Sequence, residues 1–345
     1  MKLKLIKLTI LSLLVLLCGC SNNLMNEAKQ SNVISSAGLS NINIAEYGYG
    51  EIAYKYLEYI QEYLPGRFAF TERERETALF ILNALLDMGY ASDSIIIQQF
   101  STNAVSSQIQ SAEEKFNGGK KTNKSRNIIV TQKGESEKII IVAAHYDSVG
   151  THGIDDNGSG LSIVLESAMR MIDKKTPYTI QYIFFGAEEM ATWGSRHYIN
   201  SLSDKAKENI LFMINIDSVI GSDILTMSGG APQNDGTVKD DWAVLQAFEF
   251  VENLGLDIRL PAWEKVKQPF PIGTLSGDHV PFMKSGIPYI QFDAVNWDKM
   301  EPAIMHSPND NLEYINEHFP NRIMSALESY SVLIEHLAST DNIGM

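Results

Sequence analysis

Apolar and polar positions fall into two alternating patterns along most of this chain. In the first, β-branched and aromatic residues follow one another with little interruption, over Ser94–Phe100, Arg126–Thr131, Lys138–Ala144, Thr179–Phe185, Ile210–Ile216 and Tyr289–Phe292. Such runs predict strands buried on both faces, since a half-exposed strand would alternate. In the second pattern the apolar residues recur at helical spacing. Ala78, Ile81, Leu82, Leu85 and Met88 form one stripe in Thr71–Met88, and Thr71 with Glu74 makes a capping box at its start. Helices are also predicted over about Ile44–Tyr63, stopped by Pro65-Gly66, and over Ser159–Ile172, Asp240–Asn253 and Asn321–Leu337. The polar stretch 101–125, with Asn117-Gly118-Gly119, reads as an exposed loop or extended hairpin tip. Strands alternating with helices predict an α/β fold, a mostly parallel β-sheet covered by helices on both faces. No repeat and no interdomain linker interrupts the pattern, so residues 44–345 are expected to form a single domain.

The first residues break from this pattern. Lys2, Lys4 and Lys7 precede a short apolar run, Leu8–Leu17, too short to span a bilayer comfortably. Residues 1–20 therefore read as a secretory signal. Leu17-Cys18-Gly19-Cys20 followed by Ser21 resembles a bacterial lipobox with Cys20 lipidated, and a plain signal peptide cleaved nearby is the alternative. Residues 21–43, rich in Ser and Asn, read as a flexible tether. The expected location is outside the cytoplasm, on a bacterial cell membrane, held by the lipid anchor alone.

Composition narrows the chemistry. Hydrophobic residues at 44% and charged residues at 20% exclude a disordered or collagen-like chain. A formal net charge of -14 argues against nucleic acid as the main partner. Cys18 and Cys20 are the two cysteines of the chain. The exported part therefore has no disulfide, and a metal site in it has to use His, Asp and Glu.

Those residues cluster after the predicted strands, where ligands bind in open α/β sheets. Lys138–Ala144 leads into His145-Tyr146-Asp147-Ser148, and Asp155-Asp156-Asn157-Gly158-Ser159-Gly160 opens a helix. Thr179–Phe185 leads into Gly186-Ala187-Glu188-Glu189, Ile210–Ile216 leads into Asp217, and His306-Ser307-Pro308-Asn309-Asp310 follows near the end. Each has an ordinary reading when taken alone. His145 can be a packed or surface histidine, Asp156 an acid favoured by a helix N-terminus, and Glu188-Glu189 a solvated pair. Against this, His145 and Asp147 stand at i and i+2 on one side of an extended segment, where the carboxylate can accept the distal imidazole proton. Gly158 and Gly160 allow a tight bend that aims Asp156 inward. Two carboxylates directly after an apolar strand suggest two tasks, binding a metal and moving protons. Two histidines and three carboxylates, with one further Glu, suit two zinc ions bridged by a carboxylate.

The segments that carry this chemistry resemble the di-zinc aminopeptidase family, peptidase family M28. They are Ile140–Ser148, Gly153–Gly160, Ile183–Tyr198, Asn215–Asp217, Ser276–Phe282 and His306–Asp310, and the resemblance runs from about Ile44 to the C-terminus. It implies a mixed sheet sandwiched by helices and hydrolysis of N-terminal residues from peptides. It further implies two zinc ions bridged by Asp156, one completed by His145 and Asp217, the other by Glu189 and His306. Glu188 is then the general base, Asp147 supports His145, and Asp278 and Asp310 stand behind the ligands. His279 and His197 match family positions taken as structural. Met190, Trp193 and Trp297 are candidates for a pocket wall or for core. Glutaminyl cyclases, which use a single zinc, share a His-Tyr-Asp-Ser segment and a Trp-Gly-Ser-Arg-His segment, here Trp193–His197. The intact Asp155–Gly160 loop favours the peptidase over that alternative. Retention of the whole ligand set likewise favours it over a metal-free binding ectodomain on the same fold. Oligomeric state is not legible.

Overall fold

The structure is a computed structural model that describes residues 23–31, 38–101, 120–149, 152–232, 238–261, 276–294, 304–341 and 343–344. The signal segment with Cys18 and Cys20, most of the polar stretch 101–125, and Trp297 lie outside the described residues.

The strands are β1 (Ile95–Ser101), β2 (Lys124–Gln132), β3 (Ser136–His145), β4 (Tyr178–Phe185), β5 (Ile210–Ile216), β6 (Leu225–Ser228), β7 (Ala231–Pro232), β8 (Val238–Lys239), β9 (Ile258–Arg259) and β10 (Tyr289–Asp293). The helices are α1 (Glu51–Tyr63), α2 (Glu72–Asp87), α3 (Gly160–Met171), α4 (Trp193–Ser201), α5 (Asp204–Glu208), α6 (Trp242–Leu254), α7 (His279–Lys284), α8 (Leu312–His318) and α9 (Arg322–Ser339). One eight-stranded sheet runs in the order β1-β2-β4-β3-β5-β10-β6-β9, with β7 and β8 as a separate ribbon. The four central strands β4, β3, β5 and β10 are parallel neighbours. The flanking pairs β1–β2, β2–β4 and β10–β6 are antiparallel, so the sheet is mixed, with a parallel centre.

Both faces of that centre are covered. Ile140, Val142 and Ala144 of β3 point into a large core shared with α1, α2, α3, α6 and α9. Ile141 and Ala143 point the other way, into a smaller core with Tyr198 and Ile199 of α4 and Phe282 of α7. Opposite projection of successive residues is what strand geometry requires. With apolar partners on both sides, the strand sequence is continuous rather than alternating.

Three local outcomes differ from the expectation. The helix predicted from Ile44 breaks into a single turn at Ile44–Glu46 and then α1. Gly50 adopts φ +82°, and a Cβ there would meet the backbone of α9 at 2.7 Å. It has no side chain with which to cap α1, and the buried Glu166 of α3 does so instead, accepting from the amides of Gly50 at 2.9 Å and Ala53 at 2.7 Å. The second difference is at residues 23–30, which are helical where the composition reads as flexible tether. Leu24 and Ala28, one turn apart, are buried against the core, and Glu27 pairs with Arg75 of α2 at 2.8 Å. Leu24 and Ala28 fall on one helix face at i and i+4, with Met25 packed beside them. Third, Glu74 of the capping box is fully buried. Thr71 accepts from its amide at 3.4 Å, but its own carboxylate accepts from the Phe70 amide at 2.7 Å and from the Ser125 hydroxyl.

Candidate metal centre

Parallel alignment places the carboxyl ends of β3, β4, β5 and β10 side by side, and the loops that leave them meet. His145 is the last residue of β3, Asp217 follows β5, and Glu188 and Glu189 follow β4. Asp156 lies in the turn before α3, and His306 lies between β10 and α8. All five candidate ligands come together. The Nε2 of His145 is 3.3 Å from Asp156 Oδ1 and 3.4 Å from Asp217 Oδ1. The Nε2 of His306 is 3.0 Å from Asp156 Oδ2 and 2.9 Å from Glu189 Oε2. His145, Asp156 and Asp217 form one group, and Asp156, Glu189 and His306 another, each with its donor atoms within 4.8 Å. Asp156 belongs to both, one oxygen facing each.

The charge balance shows what such a cluster attracts. Three carboxylates converge with two imidazoles in a space buried at His145 and Asp156 and open on the side of His306. Hydrogen bonds to Asp156 and then Glu189 push His306 up to about 11, against the effect of burial. Burial opposes charge on His145, but Asp217 and then Asp147 and Asp156 raise it well above the ordinary histidine value. Burial lifts Glu189 to about 7, with Asp156 adding to the rise. Burial also favours a neutral Asp156, yet the two histidines hold it below the ordinary carboxylate range. The cluster attracts positive charge to the points between its donors. Imidazole nitrogen combined with carboxylate oxygen suits zinc better than calcium or magnesium, which favour all-oxygen sites.

Supporting residues hold this geometry through the backbone. Asp147 was expected to take the His145 proton on its carboxylate. Instead its carbonyl oxygen lies 3.1 Å from His145 Nδ1, and the carboxylate stands off at 3.7 Å. The carboxylate accepts from the amides of Glu188 at 3.0 Å and Glu189 at 3.2 Å, fixing the turn that presents both glutamates. Asp310 does the same for the Asp156 loop, accepting from the amides of Ile154 at 2.8 Å, Asp155 at 2.5 Å and Asp156 at 3.2 Å. Asp278 is buried at the start of α7, outside both groups, and burial pushes its carboxyl up to about 7. His279 stacks on Tyr289 at 4.5 Å and His197 packs on Phe100 at 5.2 Å.

Gly160 acts by close approach, not by bending. Its φ is helical, and a Cβ would sit 2.4 Å from both Asn157 Oδ1 and the Ile216 carbonyl. Asn157 in turn donates to the Ile216 carbonyl at 2.8 Å, tying the loop to the end of β5. Ala187, Ser218 and His306 all have positive φ, a conformation that non-glycine residues adopt rarely and that collects at functional sites. Met190 and Trp193 lie beside the centre, packed with Phe68, Phe70 and Phe100.

The reading of the sequence missed Arg67. This fully buried arginine reaches the loops that bear His145 and Asp156. The available signal was a lone cation inside the apolar run Leu64–Phe70.

Residues 127–331 match Peptidase family M28. The chain belongs to peptidase family M28. Membership makes it a metallopeptidase. The match covers Asp147, Asp156, Glu188 and every candidate ligand, and leaves out α1, α2 and Arg67. Among relatives of this M28 chain, the alkaline phosphatase isozyme conversion protein of Escherichia coli is 27% identical over 271 residues, 72% of this chain and 73% of that protein. Aminopeptidase YwaD of Bacillus subtilis is 33% identical over 199 residues, 56% of this chain and 41% of that protein. The probable lipoprotein aminopeptidase LpqL of Mycobacterium tuberculosis is 39% identical over 99 residues, 27% of this chain and 19% of that protein. The chain thus spans less than half the length of the last two. A zinc aminopeptidase from Bacillus subtilis shares the fold with a TM-score of 0.67 at 19% identity, covering 86% of this chain and 97% of that one. A glutaminyl cyclase from an Acidobacteriales bacterium shares it at 0.62 and 18%, covering 84% and 94%.

Proposed function

We propose that this M28 member is a di-zinc aminopeptidase that removes N-terminal residues from peptides. The observation that carries the reading is Asp156, whose two oxygens face two separate donor groups. In this reading His145, Asp156 and Asp217 hold one zinc ion, and Asp156, Glu189 and His306 hold the other. When bound, the two ions supply Lewis acidity, polarising the scissile carbonyl and bringing the acidity of water near neutrality. The remaining steps fall to side chains. Glu188 takes the proton from the attacking water and returns it to the leaving amine. Burial first, then Asp278 and Glu189, raise its carboxyl well above the ordinary glutamate value. A carboxyl raised in this way can both accept a proton from water and release it within a cycle. Asp147 holds Glu188 in place by its backbone. Chelation is expected to abolish hydrolysis of unblocked aminoacyl amides and zinc to restore it; hydrolysis that survives complete stripping overturns the reading.

Zinc uptake should be linked to protons. Histidine in an unfolded chain titrates at about 6.5. His306 is raised to about 11 in the metal-free fold, so its protonated form stabilises that fold fully below about 6.5. The contribution is lost as pH rises through about 11, and the proton is still present at neutral pH. A zinc ligand must be neutral, so loading has to displace that proton. Apparent zinc affinity is expected to tighten between about pH 6 and about pH 8, with protons released into weakly buffered solution. Affinity that does not change with pH contradicts the assignment of His306.

A cyclase shares the fold, and Trp193–His197 keeps that second reading alive. It predicts one zinc per chain and conversion of N-terminal Gln to pyroglutamate.

The Leu17–Cys20 pattern and the similarity to LpqL support an exported lipoprotein. No helix among the described residues is long and apolar enough to cross a membrane, which leaves the lipid as the anchor in this reading. Cys20→Ser is expected to move the protein out of the membrane fraction or leave it unprocessed. Wild-type protein recovered without detergent and beginning at another residue contradicts lipidation.

A further inference from the structure

We propose that Arg67 is a positioning residue that sets the spacing between the loop bearing His145 and the loop bearing Asp156, and so assembles the centre before its cations arrive. The inference rests on the reading of those two residues as ligands. Arg67 is fully buried, and its guanidinium hydrogen bonds go to backbone carbonyls rather than to a carboxylate. Its Nε donates to the Tyr146 carbonyl at 2.8 Å, one residue beyond His145. Its Nη1 donates to His152 at 2.8 Å and to Leu64 at 3.2 Å, and its Nη2 to Gly153 at 2.6 Å, three residues before Asp156. Its amide donates to the Ser148 hydroxyl at 3.2 Å, and its carbonyl accepts from the Ser148 amide at 3.2 Å.

One planar side chain therefore spans both loops. Gly153 marks a close approach of the two independently. It has φ +62°, and a Cβ would lie 2.4 Å from the Ser148 Cβ and 2.8 Å from the Asp156 carbonyl oxygen. Asp310, Asp147 and Asp156 all lie near enough to Arg67 to favour its charge, and repulsion among these acids would spread a metal-free site. A fixed cation at the seam opposes that spread. A guanidinium suits the task because its donors diverge in one rigid plane, whereas a lysine carries the same charge on a single nitrogen that cannot reach all of the separated carbonyls.

The test compares wild-type protein with Arg67→Lys, reading zinc affinity by competition with a chelator, the Tm of the metal-free and zinc-loaded forms, and kcat with KM. The proposal predicts that metal-free Arg67→Lys still unfolds in one cooperative transition. Its zinc affinity falls about 10- to 100-fold, the usual effect of losing a group that orients ligands. At saturating zinc, kcat falls while KM changes little. A merely structural role predicts equal loss of Tm in both forms and unchanged zinc affinity. Affinity within about twofold of wild type overturns the proposal. So does an Arg67→Lys chain that fails to fold even at saturating zinc, because Arg67 would then be a folding residue. Wild-type protein that takes up no zinc contradicts the ligand reading itself, a distinct result from unchanged affinity in the variant.

Discussion

Glu188→Gln is expected to fold, to keep its zinc and to lose at least about a hundredfold in kcat. The two glutamates after β4 are adjacent, yet their surroundings separate them. Glu189 reaches His306 at 2.9 Å and belongs to a donor group, whereas Glu188 belongs to neither. Asp147 accepts from both of their amides, so the backbone that presents Glu188 does not depend on its side chain. The amide in Glu188→Gln keeps the shape and removes the proton-accepting function. Zinc content and Tm should therefore stay near wild type while turnover collapses. The same substitution at Glu189 should release zinc instead. If Glu188→Gln turns over at near wild-type rate, Glu188 has no part in proton transfer.

Acetylating the N-terminal amine of a substrate is expected to slow its hydrolysis by a factor of about a thousand or more, within the range that orientation can supply. The centre is crowded with acidic side chains: Asp156, Glu188, Glu189 and Asp217 surround the two histidines, and Asp278 lies buried beyond them. A free terminal amine can be held there, by a carboxylate or by bound zinc. An acetamide cannot, and the scissile carbonyl beside it loses its fixed position. The comparison uses one aminoacyl p-nitroanilide with and without the acetyl group, together with a peptide that begins with Gln. Equal cleavage of the free and acetylated forms would sink the exopeptidase reading. Pyroglutamate formation without hydrolysis of the other substrates would move the assignment to the cyclase.

Much of this arrangement is legible in the sequence, for reasons that particular residues make clear. Ile210–Ile216 coincides with β5 because a strand buried on both faces needs an unbroken apolar run, and Asp217 ends that run. His145 and Glu188–Glu189 stand out for the same reason, as charged or polar groups at the ends of apolar strands. The short elements are not legible. β6, β9 and α7 have too few residues to display a period, and pairing or packing with longer neighbours decides them. One support of the centre is hidden in another way. Arg67 acts on backbone carbonyls, which every residue carries, so no partner side chain marks it in the sequence, whereas Asp147 and Asp310 show through the motifs they belong to. Residues 23–30 show the limit of composition: a Ser- and Asn-rich context suggests a tether, but Leu24 and Ala28 are buried on one face of a docked helix.

Counting zinc per chain tests the account most directly. Protein purified under metal-controlled conditions, or stripped and reloaded with zinc, is freed of excess ion and measured by elemental analysis against protein concentration. The shared position of Asp156 between two donor groups predicts two zinc ions per chain, falling below one in Asp156→Ala, which removes a ligand from both groups at once. One ion in the wild type, unchanged at saturating zinc, would contradict the bridged pair and favour the cyclase; none would contradict a metal-dependent activity at this centre.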